Sequence, residues 1–145
     1  MSLFKIFDIA ASGMSAQSVR LNTISSNIAN AESVSSSVDK TYRARHPVFS
    51  AKSNDFAEDL DLSRQGYAAG AGVEVLGIVE SEADLQKRYE PNHPLADGEG
   101  YVAYPNVNIV EEMANMISAS RAYQTNVDVM DTAKQMMQKV LSLGQ

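Results

Sequence analysis

The stretch that decides the fold is LFKIFDIAASGMSAQSVRLNTISSNIANA, residues 3–31. Steps of four and three along it pick out Leu3, Phe7, Ala10, Met14, Gln17, Leu21, Ile24, Ile28 and Ala31, all apolar except Gln17. A period of 3.5 residues is a heptad seam, the pattern of a helix that winds around a partner. At ~1.5 Å per residue the helix runs about 43 Å, longer than a compact domain of this size is wide.

The other end of the chain repeats the design. Ile109, Met113, Met116, Ser120, Tyr123, Val127 and Met130 keep the 4,3 spacing, and Met137 and Leu141 resume it after a polar Lys134. One such stripe alone is the core face of an ordinary amphipathic helix. Two matched stripes at opposite ends predict a mainly α fold whose long N- and C-terminal helices form a coiled coil. The first helix is weak by propensity, with Gly13, Asn22, Thr23, Ser25, Ser26, Asn27 and Asn30 in it. Each costs ~0.5–1 kcal/mol relative to alanine. In isolation the segment is expected to be largely unfolded and to order where a partner buries its seam.

Residues 1–31 and 107–145 are therefore read as one assembly domain, and residues 32–106 as a small β-rich insert with flexible loops. Ser33–Ser37 is a low-complexity exit from the first helix. Strand patterns follow at Thr41–Phe49, where Pro47 confines the strand to an edge or an end, and at Val73–Glu80. Leu85–Glu90 and Tyr101–Tyr104 are shorter candidates. Asn54–Leu62 is acidic, and Gly66, Gly70 and Gly72 mark a mobile loop.

Charge follows the same division. The chain has 145 residues and a net charge of -6, and residues 32–106, with seven basic and thirteen acidic side chains, carry the whole imbalance. Nearly neutral ends suit close packing on other copies, and an acidic centre suits solvent. No basic footprint exists for a phosphate backbone, so nucleic acid is not expected as a partner. Cysteine is absent, which excludes disulfides, thiolate nucleophiles and thiolate zinc sites. No segment reaches the ~20 apolar residues of a membrane span. The apolar start resembles a signal peptide, but Lys5 and Asp8 interrupt it and no small-residue cleavage site follows, so it is read as part of the mature chain.

Catalytic chemistry has little to stand on. His46 and His93 have no helical i,i+4 histidine partner, and His93 sits in a turn beside Pro94. The glycines at 66, 70 and 72 lack the spacing of a phosphate cradle. Glu111 and Glu112 fall in the first turn of the C-terminal helix, where they complement its dipole. No enzyme activity, metal or cofactor is expected.

Ala11–Ala31 (ASGMSAQSVRLNTISSNIANA) resembles the N-terminal signature of the bacterial flagellar axial proteins, the family of rod, hook and hook-associated subunits. Tyr101–Asn108 (YVAYPNVN), running into Ile109–Ala122 (IVEEMANMISASRA) and ending in Leu141–Gln145 (LSLGQ), is similar to the proximal-rod members of that family, as is EPNHPLADGEG at residues 90–100. The matched blocks cover about half the chain.

That resemblance implies a structural subunit of the flagellar rod, the periplasmic drive shaft around the export channel, with the paired terminal helices lining the axis and the insert facing outward. Its implied partners are itself, other rod proteins and the flagellar type III export apparatus, with export that involves no cleaved signal. Gln17, Asn22, Asn27, Asn30, Arg121 and Gln124 are then available for contacts with neighbouring subunits. The rivals are another rod or hook-family subunit, which would share ASGMSAQ but not YVAYPNVN, and a free-standing coiled-coil adaptor.

Overall fold

A computed structural model describes residues 3–35, 37–52 and 72–143. The acidic run 54–62, Ser36 and the glycines at 66 and 70 lie outside them. Helix α1 spans Leu3–Ala29 and helix α2 spans Ile109–Leu143. Between them come a short 3-10 turn, Val38–Lys40, and strands β1 (Arg45–Ala51), β2 (Val73–Glu80), β3 (Gln86–Tyr89) and β4 (Tyr101–Tyr104). Two long terminal helices with a small antiparallel β-rich insert are thus the architecture.

The chain divides into two compact units, each drawing on both helices. The first comprises Met1–Val19, Val48–Gly77 and Ala119–Gln145, and the second Arg20–Pro47 and Ile78–Ser118. In the first, the fully buried apolar side chains among the described residues are alanines: Ala10, Ala16, Ala119 and Ala133. In the second, Ala31, Ala44 and Val107 form a buried cluster with Tyr42 packed against it, and Ile24, Val102 and Pro105 are also buried.

Two small sheets form, β1 with β2 and β3 with β4. At the ends of the first, Ser81 N donates to Ala44 O and Lys52 N to Gly72 O, so the strands run antiparallel. Pro47 is tolerated in β1 because both strands of a two-stranded sheet are edges. β1 begins four residues later than the alternation suggests, since Thr41 and Ala44 are taken into the second unit's interior. In the second sheet Gln86 faces Tyr104, Lys87 faces Ala103, Arg88 faces Val102 and Tyr89 faces Tyr101. The Tyr89 and Tyr101 rings meet edge to face at 5.3 Å.

The connection from β3 to β4 is closed by its own side chains. Asp97 Oδ1 accepts from the backbone N–H groups of Glu99 and Tyr101, each at 2.9 Å. The Tyr101 N–H first, then the Glu99 N–H and the Lys87 charge, hold the Asp97 carboxyl below the usual carboxylate range. Gly100 sits at φ 84°, and a Cβ there would press on Tyr89 and Pro91. Tyr104 is buried, and burial, followed by its bond to the Glu90 carboxylate, raises its phenol above the ordinary value. The Arg88 guanidinium lies 4.2 Å over the same ring.

Candidate functional site: helix faces and an asparagine-centred knot

Asn27 is the centre of the second unit, with none of its surface exposed. Its Oδ1 accepts from Arg45 N and from the Tyr42 hydroxyl, both at 2.9 Å. Its Nδ2 donates to Arg45 O at 2.9 Å and to Glu112 Oε1 at 3.2 Å. The side-chain amide therefore pairs with both backbone groups of Arg45, as a neighbouring strand would, and fixes the start of β1 on α1. All four of its hydrogen-bonding positions are filled inside the chain. Glu112, 5% exposed, owes its burial to that amide.

Two more asparagines complete the arrangement. Asn106 Oδ1 accepts from Ala44 N at 2.8 Å, and its Nδ2 donates to Ala83 O at 2.9 Å. Asn108 caps α2, its Oδ1 accepting from Val110 N at 3.1 Å. In YVAYPNVN, then, Val102 and Pro105 fill the core, Asn106 ties two chain segments, and Asn108 starts the helix. Arg20 reaches Asn115 Oδ1 at 3.2 Å, so within this unit the helices meet antiparallel.

In the first unit, ASGM explains itself through close approach. Ser12 Oγ donates to Ile9 O and accepts from Val73 N at 3.1 Å, which pins the start of β2 to α1. Gly72, at φ 123°, lies against that hydroxyl and leaves no room for a Cβ. A Cβ on Gly13 would stand 2.9 Å from Asn126 Nδ2. The glycine that weakens the helix by propensity thus admits α2.

The seam residues distribute unevenly. Ala10, Ile24 and Ala31 are buried, and Phe7, Met14, Leu21, Ile28, Met116, Val127, Met130 and Met137 are half-buried. Ile109, Met113, Ser120, Tyr123 and Leu141 are exposed, and the side chain of Leu3 lies outside the described residues. On α2 the buried positions are Glu112, Ala119 and Ala133, beside the 4,3 positions 113, 120 and 134. Outside stand Val110, Met113 and Ile117 in the second unit, 76%, 54% and 55% exposed. Val129, Met136 and Val140 are the exposed apolar row of the first.

The residues expected at subunit contacts also separate. Asn22, Arg121 and Gln124 are exposed, with the Gln124 amide on Asp128. Asn30 is half-buried and its amide turns back to Ser26 O. Gln17 is half-buried, and its Oε1 is enclosed without a partner among the described residues. Asn27 differs from the others of that set in being buried, with the four hydrogen-bonding positions of its amide filled inside the chain.

His46 is exposed on β1, while His93 Nδ1 accepts from Leu95 N and caps its turn. Among the described residues, no group of three or more His, Asp or Glu side chains could hold a metal ion, and no helix is long and apolar enough to cross a membrane.

These arrangements fall where known proteins match. A family profile described as "Flagella basal body rod protein" matches residues 7–34, which hold Ser12, Gly13 and Asn27. A second, "Flagellar basal body rod FlgEFG protein C-terminal", matches residues 99–143, which hold YVAYPNVN and α2. The flagellar basal-body rod proteins FlgC of Escherichia coli O6:H1 and of Salmonella typhimurium are each 48% identical to this chain over 145 residues, covering all of both chains. That of Borreliella burgdorferi is 37% identical over 156 residues, covering all of this chain and 99% of the relative. With identity of this extent running from end to end, the chain belongs to the FlgC family of flagellar basal-body rod proteins.

Proposed function

We propose that this chain, as a structural subunit of the flagellar rod, assembles by laying the apolar helix faces it leaves open onto neighbouring subunits. The terminal helices form the inner coiled-coil layer around the export channel, and residues 32–106 face outward. The chain reaches the periplasmic part of the rod through the flagellar type III export apparatus, without signal cleavage. Its work is packing and the carrying of torque, with no catalytic step.

The observation that carries this reading is which side chains are inside. The second unit encloses Asn27 and Glu112 and leaves Val110, Met113 and Ile117 exposed. The first encloses four alanines and leaves Phe4, Val129, Met136, Val140 and Leu141 exposed. Covering a large apolar side chain is worth about 1.5–3 kcal/mol, against about 0.8 kcal/mol for a methylene-sized group. A free-standing helix would place them the other way round. Part of the hydrophobic free energy available to these helices is thus still unrealised in the single chain, and assembly collects it. Near-neutral helices and an acidic insert support the same orientation, since many carboxylates gathered at a crowded axis would repel and lose hydration.

The test is complementation of a non-motile strain lacking this chain. Met113→Asp changes an exposed position, so the purified variant should keep wild-type stability while motility and intact rods are lost. Ile24→Asp, at a site 4% exposed, should lose both. Motile cells with normal rods containing Met113→Asp would remove the packing reading.

A further inference from the structure

The first unit contains a shallow apolar groove of about 330 Å³ between the first turns of α1 and the later turns of α2. Ile6, Val129, Ala133 and Met136 line it together with Thr125, Asp128 and Thr132, and Thr125 and Asp128 stand at the end of the lining run nearer the start of α2. Val129 and Met136 are 44% and 46% exposed there. Asp128 is exposed, and its carboxylate carries only the Gln124 amide among the described residues.

The same chain carries a matching knob. Phe4 is 71% exposed, and Lys5 beside it is exposed with no ion pair among the described residues. Phe4 cannot serve its own groove, because two residues turn an α-helix by about 200° and Ile6 already faces α2. An aromatic side chain followed by a cation complements in charge and polarity an apolar groove lined in part by a carboxylate, but on its own chain the knob is turned away from that groove.

We infer that this groove receives Phe4 of a second copy of the chain, with the second copy's Lys5 set against Asp128. The contact is heterologous, since knob and groove are different surfaces. Each copy then keeps a free groove at one side and a free knob at the other, so the contact propagates around a ring or along a helix and does not stop at a dimer. The inference rests on the assembly reading above and adds to it the surface and the partner. It gives Phe4 and Lys5 a role that the heptad spacing does not, because neither is a seam position. The apolar part supplies adhesion, and the ion pair sets register and excludes unlike partners.

The absence of native cysteine makes the test direct. Two differently tagged full-length versions, Phe4→Cys and Met136→Cys, are produced together in cells lacking the native gene, and the basal bodies are isolated and oxidised. A disulfide joining the two tags can arise only between copies. The expected result is that this mixed species is the main cross-linked band, well above either like-with-like disulfide and above the mixed species from Asn22→Cys with Met136→Cys. A mixed band no stronger than that control, or a Met136→Cys disulfide to a different protein, overturns the inference.

Charge reversal provides a second arm that needs no cysteine. Lys5→Asp or Asp128→Lys alone should reduce incorporation into basal bodies, and the two reversals together should restore it. Single reversals without effect, or a double variant no better than the singles, also overturn it. Failure of this contact and failure of the rod assignment give different results. Phe4→Cys and Met136→Cys chains recovered in basal bodies with no mixed cross-link refute this contact alone, whereas absence of the wild-type chain from basal bodies refutes the rod assignment and the contact with it.

Discussion

Replacing Asn27 by alanine removes four hydrogen bonds from the interior of the second unit: two to the Arg45 backbone, one from the Tyr42 hydroxyl, and one to Glu112. A neutral hydrogen bond contributes about 0.5–1.5 kcal/mol net, and a buried group left without a partner costs about 1–3 kcal/mol. Tyr42 is half-buried and can recover water, so its loss is partial. Glu112 is 5% exposed and cannot, so a carboxylate stripped of its amide is the dearest consequence. Alanine returns roughly 0.5 kcal/mol through better helix propensity. The expected destabilisation is about 2–4 kcal/mol. Urea unfolding followed by tyrosine emission measures it, since Tyr42, Tyr89, Tyr101 and Tyr104 all belong to this unit and the chain has no tryptophan. Asn27→Asp preserves the shape but faces Glu112 with a second carboxylate, and should be worse than alanine. Glu112→Gln should rescue it in part, because a glutamine amide can donate to the new carboxylate. Asn22→Ala, at an exposed site on the same helix, should be neutral or slightly stabilising. An Asn27→Ala variant within about 0.5 kcal/mol of wild type, together with no rescue by Glu112→Gln, would refute the knot as a source of stability.

Other consequences can be checked separately. Gly13→Ala meets only the far end of the Asn126 side chain and gains helix propensity, so thermal unfolding should change by less than about 1 kcal/mol, whereas Gly13→Leu should cost about 2 kcal/mol or more. Asp97 has a carboxyl held below its ordinary value of 3.8, so the stability it lends the turn is full above that value and declines as pH falls through the depressed one. Amide exchange at Glu99 and Tyr101 should therefore be protected from neutral pH down to about pH 4 and lose protection below it, and Asp97→Asn should abolish the dependence. The pair Met113→Asp and Ile24→Asp should separate assembly from folding, the first leaving urea unfolding within about 0.5 kcal/mol of wild type and the second abolishing the cooperative transition.

The helices and three of the four strands were legible because their signals are local. Val73–Glu80 alternates within itself, and Tyr101–Tyr104 and the segment around Lys87 are bounded by turn residues. The knot was not legible, for the opposite reason. Periodicity places Ile28 inside and Asn27 outside, and nothing within a turn of Asn27 announces that Arg45 and Glu112, 18 and 85 residues away, will supply its partners. Glu112 likewise reads as a dipole-complementing first-turn acid until Asn27 is brought to it. Gly13 reads as a propensity defect because its benefit, room for Asn126, lies on the other helix. The signature motif carried the family through resemblance. The physical reasons for its residues lie in contacts distant in sequence.

The measurement that bears most directly on the packing account is a density map of the intact basal body that resolves this subunit's side chains. In that map α1 and α2 should form the innermost layer, with Val110, Met113 and Ile117 buried against neighbouring subunits and β1 and β2 farther from the axis. A map in which those three side chains face solvent, or in which Asp55, Glu58, Asp59 and Asp61 line the channel, would contradict it.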